Sequence, residues 1–144
     1  MKPQDEQFAE SLHQVAHAWR TELDRRLRPS GFSHSRWLLL LHLSRHDGCT
    51  HRELAQHMGI EAATLVRLVD HMEQEGLLKR SGSTTDRRIK HLNLSAAGNK
   101  AVEHIRSHAA LLRKEILSGT SKQDIDVCIK VLGGIRNKLT KPGS

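Results

Sequence analysis

Apolar residues recur along this chain at the spacing of one helix face in one stretch after another. The first stretch covers residues 5–28, where Phe8, Leu12, Val15, Ala16, Trp19, Leu23 and Leu27 form a stripe that Pro29, Ser30 and Gly31 end. A second helix is predicted behind Ser33, placed to cap it. Its run Trp37-Leu38-Leu39-Leu40-Leu41 is apolar almost all round, which puts it in the middle of the core, and Gly48 closes it. Thr50-His51-Arg52-Glu53 then has the form of a capping box, so a short helix starts near His51, turns Leu54, Ala55 and Met58 inward and stops at Gly59. Over residues 61–75, Leu65, Leu68, Val69 and Met72 fall at i, i+3, i+4 and i+7, and Gly76 stands where a C-terminal glycine belongs.

The period then changes. Residues 77–80 read as a short strand, 81–85 are small and polar, and 89–94 alternate imperfectly through Ile89, Leu92 and Leu94, which together predict a hairpin with a long tip. Helical spacing resumes after Ser95, a second capping residue, with Val102, Ile105, Ala109, Leu112 and Ile116, and breaks at Ser118-Gly119. Thr120-Ser121-Lys122-Gln123 repeats the capping-box form ahead of a last stripe of Ile125, Cys128, Ile129, Leu132, Ile135 and Leu139; residues 141–144 are expected to fray. The first helix and the last two carry more apolar surface than so small a core can cover, so they need a partner surface.

Charge and composition narrow the function. The 144 residues carry 23 Lys and Arg against 16 Asp and Glu, a formal charge of +7, which favours an anionic partner. No apolar run approaches the roughly 18 residues of a membrane span, and residues 1–10 are polar and contain acids, so no membrane association and a cytoplasmic location are expected. The two cysteines, Cys49 and Cys128, imply no disulfide framework and read as reduced thiols. Histidines pair at i, i+4 as His13/His17, His42/His46 and His104/His108, but no carboxylate or thiolate completes a site for each, so no metal and no cofactor are expected. In His13-Gln14-Val15-Ala16-His17 a glutamine stands where a metalloprotease helix needs its glutamate, and no Walker loop, nucleophile elbow or C-x-x-C pair occurs; an enzyme is not expected.

Two short helices joined by a tight turn and followed by a basic hairpin describe a DNA-docking unit. If Leu65, Leu68, Val69 and Met72 face inward, Ala62, Ala63, Thr64, Arg67 and His71 form the outward face. Arg67 suits a bidentate contact to guanine O6 and N7, and Thr64 a thymine methyl or a phosphate. That helix is nevertheless net acidic, with Glu61, Asp70, Glu73 and Glu75 against Arg67, so attraction must come from Arg52 and from the hairpin. Lys79, Arg80, Arg87, Arg88 and Lys90 lie near its tip against the single acid Asp86, an arrangement suited to phosphates or a narrow minor groove.

The order helix, helix, strand, a tip carrying Asp86-Arg87-Arg88, and a strand ending Leu92-Asn93-Leu94-Ser95-Ala96-Ala97-Gly98 resembles the MarR family of winged-helix regulators. Ile60-Glu61, Leu65-Val66-Arg67 and the Glu75-Gly76-Leu77 turn bring it nearest the SlyA branch, although Glu61 stands where such regulators often carry Ser, Thr or Asp. The resemblance implies a mainly α fold with a small antiparallel β-wing, in which residues 33–98 form the winged helix-turn-helix and residues 1–32 and 99–144 a helical dimerisation region. It also implies a homodimer on pseudo-palindromic double-stranded DNA, with Arg88 entering the minor groove and Asp86 shaping the wing. Family effectors are often small aromatic carboxylates, for which Trp19, Arg20, Ser33, Trp37 and Leu41 are the candidate liners. A winged-helix module that binds protein, and a metal- or redox-responsive regulator of the same fold, remain the alternatives.

Overall fold

The computed structural model describes residues 1–82, 85–86 and 88–141. Helix α1 (Gln4–Leu27) opens with Asp5 and Glu6 and closes with Arg25 and Arg26, so each end carries the charge its dipole favours. A single 3-10 turn, Arg28–Ser30, follows and ends at Gly31, whose φ of 83° is open to glycine at no steric cost. Helix α2 (His34–Arg45) begins after Ser33, but the Ser33 hydroxyl makes no capping hydrogen bond, contrary to the sequence expectation. The start of α2 is tied instead to α1, because the Trp37 indole Nε1 donates to Asp24 Oδ1 at 2.5 Å. The apolar run on α2 buries Trp37, Leu39, Leu40 and Leu43.

Helices α3 (His51–Met58) and α4 (Ala62–Gln74) pack on α2, with strands β1 (Leu78–Gly82) and β2 (Lys90–Leu94) beside them. The strands pair antiparallel in the register Leu78↔Leu94, Arg80↔Leu92 and Gly82↔Lys90. Ile89 falls outside the strand and is exposed, which explains why the alternation read from sequence was imperfect there. The α2–α3 connection lies against the other edge of β2: Gly48 N donates to Leu92 O and Leu92 N to Cys49 O, both at 2.8 Å. Leu54, Leu65, Val69, Met72 and Leu92 are fully buried with Leu39, Leu40 and Leu43, and each side chain of that size contributes about 1.5–3 kcal/mol relative to exposure.

Helix α5 (Ala96–Ile116) starts where the Ser95 hydroxyl accepts from Gly98 N at 3.0 Å. Helix α6 (Lys122–Thr140) is capped by Ser121, whose hydroxyl accepts from Asp124 N at 3.1 Å, one residue later than the predicted box. Gly119, at φ 84°, turns the chain, and Thr120 N bonds back to Leu117 O at 3.1 Å, so Thr120 still belongs to the preceding turn. The chain divides into two compact units, Met1–Ala110 and Leu111–Ser144, the first containing the strands and helices α1–α4. Among the described residues no helix is long and apolar enough to cross a membrane.

Candidate nucleic-acid interface

The helix pair is set from the α3 end. Thr50 Oγ1 accepts from Glu53 N at 3.2 Å and donates to Glu53 Oε1 at 3.1 Å, so one hydroxyl serves both the helix end and the carboxylate. Gly59, at φ 66°, then lets the chain turn within a few residues into α4. Leu65, Val69 and Met72 of α4 are buried, and Leu68 is half-buried. Ala62, Ala63, Thr64, Arg67 and His71 are all exposed, and Arg52 of α3 is exposed as well. Val66 also reaches solvent, a position the sequence reading did not include, although its spacing of four from Ala62 and three from Ala63 would have placed it on their face. His71 Nε2 lies 3.0 Å from Glu75 Oε1, and the other Glu75 oxygen pairs with Arg36 of α2.

In the wing, Asp86 Oδ1 accepts from Arg88 N at 2.9 Å and from Arg88 Nε at 3.4 Å. The Arg88 side chain is 92% exposed, and Lys79 and Lys90 are exposed on the strands. Arg87 lies outside the described residues.

Arg80 departs from the expectation that it adds to the charge of the tip. It sits on β1 opposite Leu92 and two residues from the buried Leu78, so its side chain turns to the inner face and meets α4. There Nη2 pairs with Asp70 and Nη1 with Glu73 Oε1 at 2.8 Å, while the Arg80 backbone N donates to Glu73 Oε2 at 3.2 Å. Arg80 Nε also donates to His51 Nε2 at 3.4 Å. Burial, then the Arg80 charge, pushes the His51 pKa below its ordinary value.

The candidate effector liners divide. Trp19, Arg20 and Trp37 line one cavity of about 400 Å³ with His34 and Leu38. Ser33 does not join them; it lines a second cavity with Asp24, Arg28 and Phe32, because it stands before the first turn of α2. Leu41, one turn beyond Trp37, lines neither. A third cavity of about 570 Å³ joins Arg20 and His34 to Thr64, Arg67 and His71 of α4.

Cys49 is buried, and burial followed by the Glu53 charge pushes its thiol up, away from the reactive thiolate; Cys128 is exposed on α6. Histidines meet at two places: His46 and His57 stack with ring centroids 3.7 Å apart, and His104 and His108, one of the i, i+4 pairs, meet edge-on at 4.5 Å. Among the described residues no group of three or more His, Cys, Asp or Glu is arranged to hold a metal ion.

The crystal structure of the transcriptional regulator PA3341 is 44% identical to this chain, covering 92% of it and 97% of PA3341, with a TM-score of 0.82. FabT of Streptococcus pneumoniae, solved in complex with DNA, shares the fold at 22% identity over 93% of this chain and 96% of its own, with a TM-score of 0.81. The transcriptional regulator SlyA shares it at 16% identity over 92% and 93%, with a TM-score of 0.79. The model of the MarR family matches residues 32–90, which hold α2, α3, α4, β1 and the wing tip up to the first residue of β2. With that match and a regulator so similar over almost its whole length, the chain belongs to the MarR family of winged-helix transcriptional regulators.

Proposed function

We propose that this protein is a homodimeric regulator that binds pseudo-palindromic promoter DNA, with α4 in the major groove and the wing tip at the minor groove. The observation that carries the reading is the pairing of two exposed arginines on separate supports. Arg67 stands on the outward face of α4, and Arg88 projects from a tip in which the Asp86 carboxylate accepts the Arg88 backbone N–H. Arg67 reads base edges, with Ala62, Ala63, Thr64 and His71 beside it, while Arg52, Arg87, Arg88 and Lys90 meet phosphates or the minor groove. The family's regulators act on chromosomal DNA, which would place the protein in the cytoplasm. Within the family, the SlyA-like reading rests on Leu65-Val66-Arg67 and the Asp86-Arg87-Arg88 tip.

The cavity holding Trp19, Arg20 and Trp37 suits a small aromatic carboxylate, with indole walls for the ring and a guanidinium for the charge. Its neighbour, lined by Arg20 and also by Arg67, gives such a ligand a route to the DNA-facing helix. The test is a duplex titration at several salt concentrations. Arg88→Ala should weaken binding and reduce the magnitude of the log–log salt slope by about 0.9 for each phosphate left without its counter-charge, and Arg67→Ala should cost about 1–3 kcal/mol of discrimination at one base pair. A slope unchanged by Arg88→Ala would count against the wing's role. Repeating the titration with hydroxybenzoate, while following the emission of the two tryptophans, tests the effector cavity in the same experiment.

A further inference from the structure

The recognition helix poses an electrostatic problem that the function requires to be solved. Helix α4 carries Asp70 and Glu73, with Glu75 at its C-terminal end, against Arg67, yet it has to lie on a polyanion. Asp70 is half exposed and stands three residues from Arg67, the spacing at which an aspartate and an arginine on one helix meet. Left alone, its carboxylate would repel phosphates and compete with DNA for the Arg67 guanidinium.

We propose that Arg80 is a positioning residue for DNA binding, neutralising Asp70 and Glu73 from behind so that Arg67 stays available to the duplex. The geometry assigns this role on several counts. The Arg80 side chain is only 23% exposed and faces α4, so it is not placed as a phosphate contact. Its two terminal nitrogens divide between the two acids, Nη1 lying 2.8 Å from Glu73 Oε1 and Nη2 pairing with Asp70. Glu73 in turn accepts the Arg80 backbone N–H at 3.2 Å, so the charge pair is fixed to strand β1 and cannot drift. His51 of α3 accepts from Arg80 Nε at 3.4 Å, which brings α3, α4 and β1 to one guanidinium. Glu75 receives parallel treatment from Arg36 of α2, so acids near the end of the reading helix are met by arginines of neighbouring elements.

This inference rests on the reading that α4 faces DNA, and the experiment separates the two. Affinity for a duplex site is measured against salt for the parent, R80Q, D70N/R80Q and D70N/E73Q, with a thermal melt of each. R80Q should bind about tenfold or more weakly, and D70N/R80Q should return to within about threefold of the parent, because losing one acid together with Arg80 restores the parent's net charge in this cluster even though Glu73 stays charged. A purely structural role for Arg80 predicts no such rescue. D70N/E73Q retains amide oxygens to accept the Arg80 N–H groups and releases the Arg80 charge, so it should bind at least as tightly as the parent, even if R80Q fails to fold. R80Q binding like the parent, D70N/R80Q remaining as weak as folded R80Q, or D70N/E73Q binding more weakly than the parent would each overturn the proposal. If the parent binds DNA and Arg88→Ala weakens it while the Arg80 results go the wrong way, only the masking role falls. If the parent binds no duplex, both readings fall.

Discussion

Gly98 shows how a single residue can be required by an approach between elements. A Cβ built there would lie 2.0 Å from the Leu77 carbonyl oxygen and 3.1 Å from Leu94 Cδ2. The carbonyl has little freedom to yield, since it accepts from Ser95 N at 3.1 Å while the Ser95 hydroxyl holds Gly76 O at 2.5 Å. Helix propensity alone would favour Gly98→Ala by about 1 kcal/mol. The backbone collision dominates, and the variant is expected to lose about 1–3 kcal/mol of unfolding free energy in urea, as overpacked sites do. A stabilised variant would mean that α5 can back away from the α4–β1 turn. Gly98 was legible only as one letter of a family-like string, because nothing in its spacing announces a tertiary contact. Arg80 was misread for a related reason: charge was counted along the chain, whereas strand alternation from Leu78 and its partner Leu92 decides which face it takes.

At the scale of elements the sequence was more informative. Periodicity located α1 to α6, since stripes such as Leu65, Val69 and Met72 are set by local spacing, and the glycines at 59 and 76 marked the turns. The errors lay at the ends, as at Ser33 and Thr120, where a hydroxyl of the right type does not decide which backbone N–H it meets. The winged element also holds two half-buried histidines, His42 on α2 and His51 on α3, whose pKa values burial pushes down most, with Arg45 and Arg80 respectively adding to it. Their folded-state pKa values lie below the unfolded value of about 6.5, so the unfolded chain takes up protons first. Stability is therefore fully present above about pH 6.5, falls as the pH drops toward the lowered values, and levels off beneath them. Glu22, held down to about 2 by Arg25 and Arg26, titrates well below this window. Melting temperatures followed from pH 8 to pH 5 should fall, and His51→Gln should flatten the fall; an equal fall in His51→Gln and His42→Gln would assign it elsewhere.

For the whole molecule, the question is which apolar stripes a single chain covers. Phe8, Leu12 and Val15 of α1 are exposed, and among the described residues none of α6 is buried, with Val127, Ile129, Val131, Leu132 and Leu139 all open to solvent. The sequence revealed these stripes without showing which would stay uncovered, because the same periodicity on α5 leaves Val102 and Ile105 buried. A second copy of the chain is the proposed cover, and the monomer's own geometry makes the test clean. Ile129 and Leu132 are 63% and 42% exposed, so Ile129→Glu with Leu132→Glu removes little packing from an isolated chain. In a dimer the same substitutions would bury charges without partners, a cost of several kcal/mol per site. Light scattering should therefore show the parent at twice the chain mass and the double variant at the chain mass, with helix content retained. Duplex affinity should fall about 10²-fold or more, because a single winged helix no longer has a partner holding it near the other half-site. A double variant that keeps the parent's mass would place the dimer contact away from this face of α6.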